Sequence, residues 1–173
     1  MTDGDADLTD LEQMCTLSPV LLAAWAEAAA VMLSKFHEVP PPATTMAFTW
    51  DAAKWSLRVH WGAPDDRALD SHANENDATE EAAYAISIAA VSHNGFVVRR
   101  RTHHGSGADL LMVRRGEPDN DFVKLEVSGI ARQGSVEARL AAKVAQVSRG
   151  DLKRSGVGLV VALEAAEIAA RSV

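Results

Sequence analysis

Two short apolar runs, residues 110–113 and 122–127, are separated by Gly116-Glu117-Pro118-Asp119-Asn120. The intervening residues favour turns, so the stretch reads as a β-hairpin. An acid opens its first strand, Asp109, and another stands near the end of its second, Glu126. If Arg115 faces Asp121 across the turn, Asp109 falls opposite Val127, and the two carboxylates become near neighbours at the open end. Directly opposed strand residues hold their Cβ atoms about 5 Å apart. Two acids that close repel each other unless a cation, a proton or a basic group lies between them. What fills that gap constrains both the fold and the chemistry.

The 173 residues suffice for one domain with a real core. The single cysteine, Cys15, excludes an intrachain disulfide and a cysteine-cluster zinc site, and it fits a cytoplasmic setting. The start of the chain carries Asp3, Asp5, Asp7 and Asp10 and lacks the basic segment of a secretory signal. The apolar run 19–33 is short for a bilayer span and contains Glu27, so no membrane association is expected. The net charge of −7 hides an asymmetry. Residues 1–93 hold 15 acids against 4 lysines and arginines, whereas 94–173 hold 9 against 13. The acidic whole argues against loose binding to nucleic acid, while the basic second half leaves room for a local binding face.

Taken in order, residues 1–17 read as an acidic, flexible lead-in. Ser18-Pro19 caps and starts a helix over 19–37, which Pro40-Pro41-Pro42 stops. Met46, Phe48 and Trp50, then Trp55, Leu57, Val59 and Trp61, alternate with polar or small residues and predict a second hairpin. Its tryptophans either cover the core or form a partner-binding patch at Trp50, Trp55 and Trp61, since Trp is enriched in interface hot spots. Residues 62–76 read as a polar loop bounding an N-terminal unit, 18–76, from a core over 77–173. Asp77 and Glu80 have the spacing of a capping box opening a helix that runs to about His93. A strand follows over 96–102, then the opening hairpin, an amphipathic helix over 135–147, a strand over 156–163 and a short helix over 165–172. Gly105-Ser106-Gly107 lies between two strands and opens no helix, so it reads as a turn rather than a phosphate loop.

From Asp77 onward the order predicts an α/β (α+β) fold. It is a mixed central sheet with an αβββαβ core flanked by helices, preceded by the N-terminal helix and hairpin. That order, with an acid on the first helix, Asp109 in Gly-Ala-Asp and Glu126 in Leu-Glu-Val-Ser, resembles the PD-(D/E)XK nuclease superfamily, the restriction-endonuclease-like fold. The resemblance covers roughly residues 77–163. It implies a metal-dependent nuclease acting on DNA or RNA, with a place in bacterial defence, or an inactive relative serving as a binding or regulatory subunit. It implies Glu80 (or Glu81), Asp109 and Glu126 as ligands of Mg²⁺ or Mn²⁺. The family's lysine belongs two residues after the glutamate, where this chain has Ser128. Residues two apart share a strand face, so Ser128 points beside Glu126. Lys143 and Gln146 on the 135–147 helix, or Lys124 on the glutamate's own strand, are the candidates to take the lysine's part.

The residue types suit that chemistry. Carboxylate oxygens bind hard divalent cations, which polarise a phosphate and activate water. A nearby lysine stabilises charge growing on the phosphoryl oxygens. Arg99 and Arg101, sharing one strand face, would hold the phosphate backbone. Structural alternatives stand beside each: Glu80 as a cap, Asp109 as a turn residue, Glu126 in a salt bridge to Arg99, Arg101 or Lys143, and the arginines guarding a sheet edge. His103 and His104, adjacent on a strand, point oppositely, which argues against a shared metal.

Overall fold

In the computed structural model, which describes residues 3–37, 42–102, 106–149 and 154–173, the acidic start of the chain is built into the sheet. Strand β1 (Gly4–Asp7) pairs in parallel with β3 (Ala53–His60). The Asp3 carboxylate accepts from the Ser56 amide at 2.9 Å, and Asp5 lies 2.6 Å from the His60 imidazole. A 3₁₀ turn at Leu8–Asp10 leads into α1 (Leu11–Met14), where Leu8 and Leu11 are each 1% exposed. Burying a leucine stabilises by roughly 1.5–3 kcal/mol. That gain anchors a segment whose surface charge suggests a loose lead-in, and the expectation for 1–17 is corrected for its described part.

Helix α2 (Pro19–Phe36) starts at proline and agrees with the predicted span. It is longer than the run 19–33 suggests: its 18 residues and mean hydropathy of 1.4 reach the length and apolarity of a membrane span. Here it packs against the core through Leu22, Trp25, Met32 and Leu33. The proline stop at Pro40-Pro41 and the pair His103-His104 lie outside the described residues. Strands β2 (Ala43–Trp50) and β3 form the expected hairpin, with Asp51 in the turn at φ 53°. Trp50, Trp55 and Trp61 are all buried, so they cover the core and present no docking patch.

The predicted loop 62–76 contains a short helix, α3 (Asp66–Ser71), capped by the Asp65 carboxylate on the Ala68 amide at 2.9 Å. Helix α4 (Glu75–His93) begins two residues before Asp77. Its cap is Asn74, which accepts from the Asn76 amide. The Asp77–Glu80 capping box is therefore not formed, and Glu80 is free of that duty. Gly95 ends the helix at φ 82°.

The rest of the sheet follows as β4 (Phe96–Arg101), β5 (Leu110–Arg114), β6 (Val123–Ile130), α5 (Val136–Arg149), β7 (Gly156–Ala162) and β8 (Glu167–Ser172). The strand order is β1-β3-β2-β8-β7-β6-β5-β4, one mixed eight-stranded sheet with helices on both faces. The αβββαβ order holds as α4-β4-β5-β6-α5-β7. The final helix expected over 165–172 is instead β8. A tight turn with Ala166 at φ 49° folds it back on β7, and its other edge pairs in parallel with β2. Two ladders and the burial of Ile168, Ala169 and Ala170 override the helical preference of its alanines. Because β8 joins β2 to β7, residues 18–76 share one continuous sheet with 77–173, and no boundary separates them.

The sheet bends around α4. Trp50 and Phe96 come from the third and eighth strands in the order, yet their rings stack 5.6 Å apart at 4°. Residues of α4 from Tyr84 to Val91 are all buried. Along β6 the side chains alternate. Gly129 faces α4, where a Cβ would meet the Thr79 carbonyl oxygen at 2.5 Å. Lys124, Glu126, Ser128 and Ile130 face α5.

Candidate functional site

The site forms where β5 and β6 separate at the open end of their hairpin. The pairing runs Leu110↔Leu125, Leu111↔Lys124 and Met112↔Val123. That register is one residue away from the Arg115–Asp121 pairing, because residues 115–122 form a longer loop with Gly116 at φ 89°. Continued by one step, it sets Asp109 opposite Glu126 rather than Val127. The Asp109 amide donates to the Leu125 carbonyl at 3.0 Å, and one Asp109 carboxylate oxygen accepts from the Val127 amide at 2.8 Å. The two acids are thus brought closer than the sequence suggests, and the Asp109 charge acts on the Glu126 carboxyl.

Glu126 is 2% exposed. The Lys143 ammonium reaches it from α5, Nζ to Oε1 at 2.9 Å, with Gln146 Oε1 3.5 Å from the same ammonium. Burial pushes the Glu126 pKa up, and the Asp109 charge adds to that, while Lys143 opposes it. This is a carboxyl pair, Glu126 buried and Asp109 half-buried, with Lys143 as the cation beside them.

A cavity of about 520 Å³ opens beside the pair, lined among others by Glu80, Asp109, Ser128, Arg132, Arg139 and Lys143. Glu80, exposed on α4, accepts from the Tyr84 hydroxyl at 3.1 Å. The Tyr84 pKa is raised, first by burial and then by the Asp109 and Glu80 charges, so its hydroxyl stays a donor. Arg101 lies 5.4 Å from the Trp25 ring and 5.8 Å from that of Tyr84, on the same side of the molecule.

The structure thus gathers Asp109, Glu126 and Lys143, with Ser128 and Glu80 on the cavity wall. Glu80 does not complete a ligand set: among the described residues, no three His, Cys, Asp or Glu side chains stand close enough to hold one metal ion. Arg99 is not brought in. A bulge between Val98 and Arg100 breaks the alternation that would align it with Arg101, and its guanidinium pairs with Asp119 at 2.9 Å. Lys124 is buried under α5, donating to the Val147 carbonyl near the helix's C-terminal end. There it satisfies an orphan helix carbonyl rather than serving the site. Of the alternatives for Glu126, the ion pair to Lys143 is the one formed.

Sequence reasoning missed Tyr84, Arg132 and Arg139. Two of them carry a readable signal: Tyr84 follows Glu80, and Arg139 precedes Lys143, by four residues on a helix, the spacing that puts side chains side by side. Arg132 sits in the loop after β6, where no periodicity marks it. Comparison with protein-family models, with characterised proteins and with solved structures finds no match for this chain.

Proposed function

We propose that this protein is a metal-dependent phosphodiesterase of nuclease type, acting in the cytoplasm on DNA or RNA. The observation that carries the reading is the convergence of Asp109 and Lys143 on a cavity that also holds Arg132 and Arg139, with the buried Glu126 2.9 Å from Lys143 behind the cavity wall. The donor set fits Mg²⁺ or Mn²⁺. It is all oxygen, it carries a charge of −2 when ionised, and Mg²⁺ takes as few as one or two protein carboxylates while keeping several waters. Asp109 and Glu126 would hold the ion, which supplies Lewis acidity and a water activated near neutral pH. Lys143 stabilises negative charge growing on the phosphoryl oxygens, the part expected of the lysine that Ser128 replaces. Ser128 offers a hydroxyl to a phosphate oxygen or water, and Arg139 and Arg132 grip flanking phosphates. Tyr84 steadies Glu80 at the rim, and Arg101 stands on the approach.

The test is cleavage of a plasmid and of a labelled RNA with Mg²⁺ and with Mn²⁺, comparing the wild type with Asp109→Ala and Glu126→Ala. Metal-dependent cleavage lost in both variants supports the reading; intact substrates in both metals overturn it. One observation favours a second reading, an inactive nuclease-type binding subunit. Lys143 already neutralises Glu126, and the third acid stays outside ligand distance. Retained nucleic-acid binding with no cleavage would select it.

A further inference from the structure

The cavity beside Asp109 and Lys143 has a second charged wall, assembled from three elements. Gly129, near the end of β6, lies so close to α4 that a Cβ would meet the Thr79 carbonyl oxygen at 2.5 Å. That approach carries the loop after β6 onto the first turn of α4. Asn74 caps the helix, so Glu75 is its first residue. Arg132 of the loop donates from Nε to Glu75 Oε1 at 3.3 Å. From the end of α2, Lys35 pairs with the other oxygen, Oε2. The next residue, Phe36, places its ring under the Arg132 guanidinium, 5.4 Å from the centroid.

Lys35 and then Arg132 hold the Glu75 carboxyl below the usual carboxylate range, so it is ionised at neutral pH. Of the three charges, those of Lys35 and Glu75 cancel, and the one left over is Arg132's. Arg132 lines the cavity of Asp109 and Lys143, whereas Lys35 stands on the neighbouring one. With Nε engaged, the two Nη groups of Arg132 make no hydrogen bond among the described residues. A guanidinium held at one edge and on one face keeps its remaining fork for the oxygens of a phosphate. Little freedom is then lost on binding. Arg139 has no such frame: among the described residues its guanidinium makes neither a hydrogen bond nor an ion pair.

We propose that Arg132 fixes one backbone phosphate of the strand bound in this cavity, and that Glu75 is its positioning residue. This rests on the phosphodiester reading of the cavity and deepens it. Glu75→Gln makes the case sharp. By charge alone, removing an acid from the wall tightens a polyanion. Positioning predicts the reverse, because the amide offers one oxygen to two cationic donors and leaves Arg132 loose. The side chains of Arg132 and Glu75 are 54% and 36% exposed, so their variants fold, which an unchanged melting temperature checks.

Binding of a fluorescein-labelled single-stranded oligonucleotide to the full chain is read by anisotropy in EDTA, so that cleavage plays no part. Glu75→Gln and Arg132→Lys are each expected to weaken binding at least fivefold. The double variant should bind no more weakly than Arg132→Lys alone, and Arg139→Lys should stay within twofold of the wild type. The proposal is overturned by unchanged or tighter binding in Glu75→Gln, by an equal further loss in the Arg132→Lys background, by a larger loss in Arg139→Lys than in Arg132→Lys, or by a wild type that does not bind. The two readings fail separately: this binding pattern with intact substrates in Mg²⁺ and Mn²⁺ removes cleavage alone, and cleavage with Glu75→Gln unharmed removes the positioning alone.

Discussion

Lys143 and Glu126 meet across the interface between α5 and the sheet, Nζ to Oε1 at 2.9 Å, with the glutamate side chain 3% and the lysine side chain 20% exposed. Removing one partner of a buried pair strands the other. Lys143→Met is therefore expected to destabilise the protein by about 3 kcal/mol at pH 8. The loss shrinks toward pH 5, where Glu126, deprived of the cation that lowers its pKa, takes up a proton. Urea unfolding at the two pH values measures it, and Glu126→Gln/Lys143→Met should recover most of the stability.

Burial raises the Glu126 pKa above its ordinary value of 4.5, and the Asp109 charge adds to that rise, with Lys143 pulling the other way. A folded state that holds this proton more tightly than the unfolded chain loses stability as pH rises from about 4.5 through the raised value. Asp109→Asn removes one raising cause, so the Glu126 carboxyl titrates at lower pH and the stability loss is smaller. Carbon-detected NMR of the side-chain carboxyl reads this directly; an unshifted titration would contradict the geometry.

Gly158 sets the height of α5 above the sheet. A Cβ there would stand 2.9 Å from the Val144 amide nitrogen and 3.2 Å from the Lys143 carbonyl carbon. Backbone cannot swing aside as a side chain can. Gly158→Ala should cost about 1–3 kcal/mol and lift Lys143 from Glu126. The signature is a Glu126 pKa raised further than in the wild type, alongside the lower melting temperature.

Tyr84→Phe separates positioning from packing. The ring still stacks on Trp25, 4.8 Å between centroids, and the exposed Glu80 carboxylate turns to water. Stability should fall by only about 1 kcal/mol. If the site cleaves phosphodiesters, the turnover rate should drop several-fold at unchanged substrate affinity.

The hairpin and its acids are legible in the sequence because turn residues and apolar runs are local signals, and an acid inside an apolar strand has few structural excuses. The register is not legible, since an eight-residue loop permits neighbouring alignments with equal local cost. Lys143 is legible as a candidate because it lies on the amphipathic helix that must cover β6. Glu80 misleads: its spacing from Asp77 mimics a capping box, whereas Asn74, three residues earlier, offers the cap that forms. The end of the chain misleads for another reason. Residues 165–172 are alanine-rich, and pairing with β7 on one side and with β2, about 120 residues away, on the other makes them extended. The bulge at Arg99 likewise depends on its partner strand, so the face assignment of the arginines cannot be drawn from alternation.

The place of β8 between β2 and β7 bears on how the protein comes into being. Every other strand is translated before residues 167–172. Until they emerge, one edge of β2 and one edge of β7 lack the neighbour that will cover them, and such open edges invite pairing with other chains. Closing the sheet also requires contacts separated by about 120 residues, which slows folding relative to local pairing. A nascent chain stalled short of residue 167 is therefore a species for holdase chaperones rather than a partly working protein. A bulky fusion placed directly after β8 would burden the step that completes the sheet.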